Sequence, residues 1–579
     1  MCGIHGAINL SVKESLQSIH HRGPDFQSVF ETQCEKNLIS YGHTRLSIVD
    51  LSPAGHQPMI CEDENHIIVF NGEIYNHKEL RSKLSRKQFK GHSDTETILY
   101  YLSEFGINGV KDFNGIFAFS YLNKLTNQFY VVRDPFGVKP LYYYASENQF
   151  VFASEIRPIH KIGVEKELDK EMLSTFLRLR YLPSPHTLFK GVNKVKPGEI
   201  INIDLNKTEG NALSLLKEQF IEVPKINDKI SKKESLIIYD EKLTKAVDRQ
   251  LMADVPISFL LSGGVDSALL AKLIKHDSNY DISCYSAGYD IKTDIDEIQD
   301  AQHTAKVLGL SQKNVILTEV DFLVTLPKLI DIIEEPLGSQ SIFPIFFLTQ
   351  SIQNDGFKVA MSGQGIDEPM GGYRKYRAQS ALQKISKIPL LPSISKKFSN
   401  IKNDDLRRIF KAINSRSTLN QIKESTSFFD EDMLSNLFNN KNDVLLDKSE
   451  EIILNRISDY DVKDKSVTDI MMNLDARMNL PDDLLLYTDK ISMHNSIELR
   501  VPFLDLELVK FLESIPHSYK LDMFSGKKLH KKLAEKHLPK EIVHRKKKGF
   551  YTPRKLWFKG KIGDYFIKEI TEDNTNYSD

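Results

Sequence analysis

Cys2 directly follows Met1, and removal of the methionine, which the small side chain at position 2 permits, would leave a cysteine with a free α-amino group. An α-amine has a pKa of about 7.7–8.0, close enough to neutrality to act as the base for the thiol of the same residue. Nucleophile and base would then sit on one residue. A second chemical signature is SGGVDS at 262–267, placed between an apolar run and an amphipathic one. Gly263 and Gly264 there let a backbone nest and a helix N-terminus surround an anion, Ser262 and Ser267 add hydroxyls, and Asp266 can hold a divalent cation. The loop has no lysine of the GxxxxGK[ST] type, so it is a different phosphate site from a Walker loop. MSGQGIDE at 361–368 repeats the pattern: a strand end, then Ser362 and Gly363, then Asp367. Asp266 and Asp367 are thus candidates to share one Mg²⁺.

These residues need elements to hold them. A chain of 579 residues exceeds the size of one hydrophobic core, so at least two domains are expected. Over 1–203, short alternating stretches (HIIVFNGEIYN at 66, GIFAFSYLN at 115, QFYVVRDPFG at 128, LYYYAS at 141, QFVFAS at 149) are broken by turn signals and predict an α+β domain. A helix is expected over 94–105 with Asp94 as its cap. Residues 204–234 are polar and lysine-rich and are expected to form a linker or peripheral wrap. From 235 to 579, buried strands alternate with helices (VPISFLLSGG then DSALLAKLIKH, ISCYSAGY then IQDAQHTAKVLG, KVAMSGQG then helix), which predicts an α/β domain on a parallel sheet. In such a sheet ligands bind at the carboxyl ends of strands, so both glycine loops and YSAGY at 285 can converge on one crevice. Residues 376–465 are expected to be a helical insertion.

Composition narrows the partners. The formal net charge is −1 and charged residues make up 27%, which gives no basis for capturing nucleic acid or an anionic membrane. No apolar run approaches the roughly 20 residues of a membrane span, and a cytoplasmic location is expected. The four cysteines contain no CxxC pair, so neither a disulfide framework nor a cysteine zinc site is expected, and Cys34, Cys61 and Cys284 are assigned to the core.

The N-terminal segments HRGPD at 21, GHTRLSIVDL at 42, HQPM at 56, FNGEIYN at 70, SDTE at 93, RDPFGVKPLYY at 133 and FASEI at 152 occur in order. Together they resemble the glutaminase domain of class II glutamine amidotransferases, a four-layer αββα fold of N-terminal-nucleophile hydrolases. The resemblance implies that Cys2 attacks the side-chain amide of glutamine through a thioester and releases ammonia. It further implies that Asn71 and the amide of Gly72 form the oxyanion hole, that Arg45 grips the glutamine carboxylate, and that Glu73 and Asp94 take its ammonium group. His20, His21 and His56 are assigned structural roles.

SGGVDS in turn resembles the pyrophosphate loop of ATP pyrophosphatases, which activate a carboxylate as an adenylate. With LPDDLLLYTDKISMHNSIELRVPFLD at 480–505 and GKKLHKKLAEKHLPKEIVHRKKKGFYTP at 526–553, nearly the whole chain resembles glutamine-hydrolysing asparagine synthetases. The implied substrates are glutamine, ATP with Mg²⁺, and aspartate or another carboxylate. Adenine contacts are expected near Leu261, Ala287 and Gly363, and Lys527 is expected on the phosphates or the reacting acyl group. Ammonia is expected to cross between the sites through an internal channel, and a homodimer is an admissible assembly.

The chain departs from the family at Gln364, where many members have glutamate, and at Pro369, where an aliphatic residue is usual. A glutamine can hydrogen-bond but cannot accept the proton of attacking ammonia. Two acceptors therefore stay open: aspartate, or another carboxylate such as a uronic acid or a peptide acid.

Overall fold

The computed structural model describes residues 2–209, 212–277, 282–291, 296–385, 417–438, 447–460, 465–546, 548 and 552–572. The N-terminal part is built on two antiparallel six-stranded sheets. The first runs in the order β10 (Val192–Lys194), β8 (Tyr142–Ala145), β9 (Phe150–Ala153), β1 (Gly3–Ile8), β3 (Asn37–Arg45), β2 (Phe26–Cys34). The second runs β12 (Ala212–Gln219), β11 (Glu199–Glu209), β7 (Gln128–Arg133), β6 (Gly115–Asn123), β5 (His66–Ile74), β4 (Met59–Ile60). All five expected strands are present, as β5 to β9. The sheets enclose one apolar layer that includes Ile4, Tyr41, Val69, Phe129, Phe152 and Ile201. The helix Asp94–Phe105 buries Ile98, Leu99 and Leu102 on the outside of the second sheet, and the helix Ile156–Lys161 packs outside the first. This is a four-layer αββα arrangement.

Two expectations are corrected here. Residues 204–209 and 212–219 are not linker: β11 pairs with β7 and with β12, which extends the second sheet. Only the stretch from Phe220 to Ser231 crosses between the two parts without helix or strand. Asp94 does not cap its helix. Ser93 does, accepting Glu96 N–H on its hydroxyl, because the Asp94 carboxylate is turned back to the backbone N–H of Ile74 at 2.8 Å.

The C-terminal part carries a parallel sheet in the order β15 (Ser311–Leu317), β14 (Ser283–Tyr289), β13 (Ile257–Leu260), β16 (Val359–Met361), β17 (Glu498–Arg500). Helices Lys232–Gln250, Val265–Asp277 and Lys528–His537 share the core on one face, and Glu319–Ile333, Ile342–Asn354 and Leu486–His494 pack on the other. Chain order runs outward from β13 through β14 to β15, then returns to β16 and β17. The switch point therefore lies between β13 and β16, the place where open parallel sheets bind ligands. Within 376–465 the described residues include helices over 418–426, 431–437 and 449–458, as expected; 386–416, 439–446 and 461–464 lie outside the described residues.

Candidate functional site

The first centre lies where β1 meets β5 across the two stacked sheets. Cys2 is buried at the head of β1, and its backbone N–H donates to Asn71 Oδ1 at 3.0 Å. Nδ2 of the same amide is buried and has no hydrogen-bond partner among the described residues. Gly72 follows with φ +155°, and a Cβ there would lie 2.1 Å from Ile116 O, so no side chain fits where β5 presses on β6. Burial pushes the Cys2 thiol up, with the amino terminus as the strongest opposing influence.

Three charged residues surround this centre. Arg45 ends β3, and its guanidinium donates to the carbonyls of Ser52 (2.9 Å) and Asp50, which fixes its orientation. Glu73 and Asp94 are both buried carboxylates. Burial, the neighbouring Asp94 and Glu498 push the Glu73 carboxyl well up, and Oε2 of Glu73 has no hydrogen-bond partner among the described residues. Burial also lifts Asp94 to about 6 against the backbone N–H donors of Ile74 and Thr95. Two acids crowded into one dry pocket favour a cationic ligand that would relieve both.

The second centre lies at the switch point. Ser267 Oγ ties the first loop together: it accepts from Ser262 N–H at 3.2 Å, pairs with Ser262 Oγ at 2.9 Å and reaches the carbonyl of Gly264 at 3.2 Å. Gly264 N–H donates to Ser262 Oγ at 3.2 Å. The loop after β16 lies against it, since a Cβ on Gly363 would come within 3.0 Å of Ser267 N. Ser362 N–H is held by the carbonyl of Arg500 on β17 at 2.9 Å. Leu261 accepts from Ser286 Oγ at 2.6 Å, which brings β14, with Ala287, beside the loop.

The two expected metal carboxylates do converge, but on a lysine. Lys527 Nζ lies 2.7 Å from Asp266 Oδ2 and 2.7 Å from Asp367 Oδ1. His530 Nε2 stands 3.1 Å from the other oxygen of Asp266, with Tyr239 hydrogen-bonded behind the imidazole at 2.6 Å. No cluster of three or more His, Cys, Asp or Glu suited to a metal occurs among the described residues. Two hard carboxylate oxygens from facing loops are donors of the kind that would hold Mg²⁺ and bring it to neutralise phosphate charge. Gln364 donates from Nε2 to Thr488 Oγ1 at 3.3 Å, and its Oε1 is buried without a partner among the described residues.

Five participants were not singled out individually in the sequence. Arg545 donates to the carbonyls of Gly263 (3.0 Å) and Asp300 (2.9 Å), clamping the glycine loop. Arg22 and Asp489 join the two parts of the chain: Arg22 donates to Asp489 Oδ2 at 2.7 Å and to Glu155 at 3.0 Å, and its Nε reaches the carbonyl of Cys2 at 3.3 Å. Lys139 adds a second cation to Asp489 at 3.2 Å. Arg500 reaches from β17 to Glu73. All five lie in stretches quoted for their resemblance, but their roles come from contacts between distant segments that no local spacing reveals.

Residues 1–213 match the family model described as glutamine amidotransferase domain, and residues 239–578 match that described as asparagine synthase. The two in one chain define a glutamine-dependent carbon–nitrogen ligase. The Bacillus subtilis (strain 168) protein named asparagine synthetase, glutamine-hydrolyzing, 1 is 31% identical across 100% of this chain and 91% of its own length. Amidase chry2 of Gibberella zeae is 26% identical across 97% of this chain and 88% of its own. Among solved structures, a glutamine phosphoribosylpyrophosphate amidotransferase from B. subtilis is similar at 17% identity over 54% of this chain and 65% of that one, with a TM-score of 0.29. The chain belongs to the asparagine synthase family.

Proposed function

We propose that the chain converts L-aspartate, L-glutamine, ATP and water into L-asparagine, L-glutamate, AMP and pyrophosphate. The observation that carries this reading is the pairing of the two centres. Cys2 and an unengaged Asn71 amide face two buried carboxylates in one, and two carboxylates, a lysine and stacked glycine loops meet at a sheet switch point in the other.

At the first centre, Glu73 and Asp94 would take the ammonium of glutamine and Arg45 its carboxylate, which sets the side-chain amide against Cys2. The α-amine of Cys2, exposed by loss of Met1, takes the thiol proton. Sγ attacks the amide carbon, and Asn71 Nδ2 with the Gly72 N–H stabilises the oxyanion. The α-ammonium returns that proton to the departing nitrogen, which leaves as ammonia with formation of the thioester, and water then hydrolyses the thioester to glutamate and the free thiol.

At the second centre, the glycine loop and the amino end of helix Val265–Asp277 would hold the phosphates of ATP, with Leu261, Ala287 and Gly363 beside the adenine. Asp266 and Asp367 would hold a magnesium ion, which supplies neutralisation of phosphate charge. The acceptor carboxylate attacks the α-phosphorus, pyrophosphate departs beside Lys527, and ammonia then displaces AMP from the acyl-adenylate. Gln364 orients the acyl group by hydrogen bonding. A small cavity lined from the two parts of the chain, by Val138 and Lys139 and by Leu485, Thr488, Asp489, Leu499 and Val501, includes the hydrogen-bond partner of Gln364 in its wall. It supports internal transfer of ammonia.

Gln364 favours a second reading, in which the same machinery amidates another carboxylate; a relative carrying the name amidase is consistent with it. Glutamine labelled isotopically at the amide nitrogen tests the shared core of both readings. The label should appear in the product amide with one pyrophosphate released per label. Label found only in free ammonia would refute the coupling.

A further inference from the structure

Arg500 belongs to β17, the last strand of the parallel sheet, yet its side chain points into the N-terminal part. It is fully buried, with Nη2 3.7 Å from Glu73 Oε1. Its Nη1 donates to the carbonyls of Gln250 (2.7 Å) and Met252 (2.6 Å), and its Nε donates to Glu498 Oε1 at 2.5 Å. Its own carbonyl accepts Ser362 N–H at 2.9 Å, at the base of the loop that carries Gln364 and Asp367. One residue therefore touches the carboxylate of the first centre with its side chain and the loop of the second with its backbone.

We propose that Arg500 is a positioning residue that completes the glutamine pocket from the opposite domain, pairing with the Glu73 carboxylate so that it is aimed and favoured in its ionised form to take the glutamine ammonium. The inference rests on the reading of Glu73 as a glutamine ligand. The charged and titratable groups facing Glu73 are Asp94 on helix Asp94–Phe105, Glu498 and Arg500 on β17, Tyr75 beyond β5, Cys2 on β1 and the amino terminus. Burial, Asp94 and Glu498 all favour the neutral carboxyl, and a neutral carboxyl cannot pair with an ammonium. Among these groups Arg500 is the side chain that pulls the other way, and its fork cannot drift, because three other acceptors hold it. The position of β17 beside β16 thereby sets the charge state of a pocket in the other part of the chain.

The test compares four variants of the full-length protein: Arg500→Met, Arg500→Lys, Glu498→Gln and Glu73→Gln. Glutamine hydrolysis is measured as kcat and KM across pH, and ammonia-dependent pyrophosphate release at one fixed pH reports the integrity of the synthetase site. Loss of a cation within about 4 Å moves a carboxyl by one or more pH units. Arg500→Met should therefore raise KM for glutamine about tenfold or more and shift the acid limb of kcat/KM to higher pH, with kcat and ammonia-dependent release within about twofold of wild type. Arg500→Lys should restore most of the limb, and Glu498→Gln should move it to lower pH. An unchanged limb in Arg500→Met, or a parallel fall of both activities that Arg500→Lys does not rescue, would overturn the proposal. If Glu73→Gln itself leaves KM unchanged, the glutamine-pocket reading fails and takes the proposal with it; a raised KM there with none in Arg500→Met defeats the role of Arg500 alone.

Discussion

Asn71 accepts the backbone N–H of Cys2 on Oδ1 at 3.0 Å, which fixes the amide so that its Nδ2 is presented, buried and unengaged, beside the nucleophile. A buried donor without a partner is costly unless something arrives to use it. An oxyanion on the glutamine amide carbon is such a partner. Cys2→Ala should abolish glutamine-dependent synthesis while ammonia still supports it. Asn71→Ala should lower kcat for glutamine hydrolysis by about 10²–10³. Equal loss with ammonia and with glutamine in Cys2→Ala would mean that Cys2 serves only the fold.

Asp94 gives the glutaminase a pH signature. Its carboxyl, lifted by burial from 3.8 to about 6, takes a proton as pH falls through that value, well before an exposed aspartate would. Binding of the glutamine ammonium should weaken over the same range, so kcat/KM for glutamine should fall below pH about 6. The stability effect has the opposite sign. Between 3.8 and 6 the folded chain binds more protons than the unfolded one, so the cost of the buried charge is complete above 6 and is relieved on acidification. Asp94→Asn should raise KM and remove this contribution to the acid limb.

The bridge from Lys527 to Asp266 and Asp367 predicts a separation of activities. Lys527→Met leaves two facing carboxylates without their cation and, on the proposed reading, removes the charge that pyrophosphate would leave beside. Pyrophosphate release should drop by about 10²–10³, with glutamine hydrolysis still detectable. Asp367→Asn should likewise suppress pyrophosphate release and spare glutamine hydrolysis. Pyrophosphate release unaffected by either change would remove these residues from the ATP site.

Asp489 is a buried anion held by two cations of the N-terminal part, Arg22 and Lys139, at 2.7 and 3.2 Å. Asp489→Ala leaves the buried Lys139 without its carboxylate and Arg22 with Glu155 alone, a class of change that costs about 3–5 kcal/mol. The thermal midpoint should fall markedly and the two parts should loosen together, which differential scanning calorimetry would record. A midpoint within a degree or so of wild type would show that water already solvates this junction.

Much of this architecture is legible in local sequence. The aromatic, alternating stretches became β5 to β9 because they pack one face against the inter-sheet core, and the two glycine loops fall at adjacent strand ends as their shared pattern suggests. The β11–β12 hairpin was concealed because β12 is an edge strand, whose three consecutive exposed residues, Leu216, Lys217 and Glu218, mask its period. The helix start at Ser93 was ambiguous because two good capping residues are adjacent, and the choice depended on Ile74, twenty positions away. Arg500 and the Arg22–Asp489 pair left no local signal, since each acts on a residue more than 400 positions distant. Long-range partners decide chemistry that spacing alone does not encode.

The central claim is carboxylate activation coupled to glutamine hydrolysis, with aspartate as the acceptor. Its most direct test is pyrophosphate release by the purified protein with MgATP and glutamine, with and without aspartate, and mass spectrometry of the products. The account predicts release that depends on aspartate and yields asparagine and AMP in equal amounts, with Gln364 tolerated at the acyl site. Release unmoved by aspartate, in a protein that still hydrolyses glutamine, would contradict it and assign the machinery to a different carboxylate.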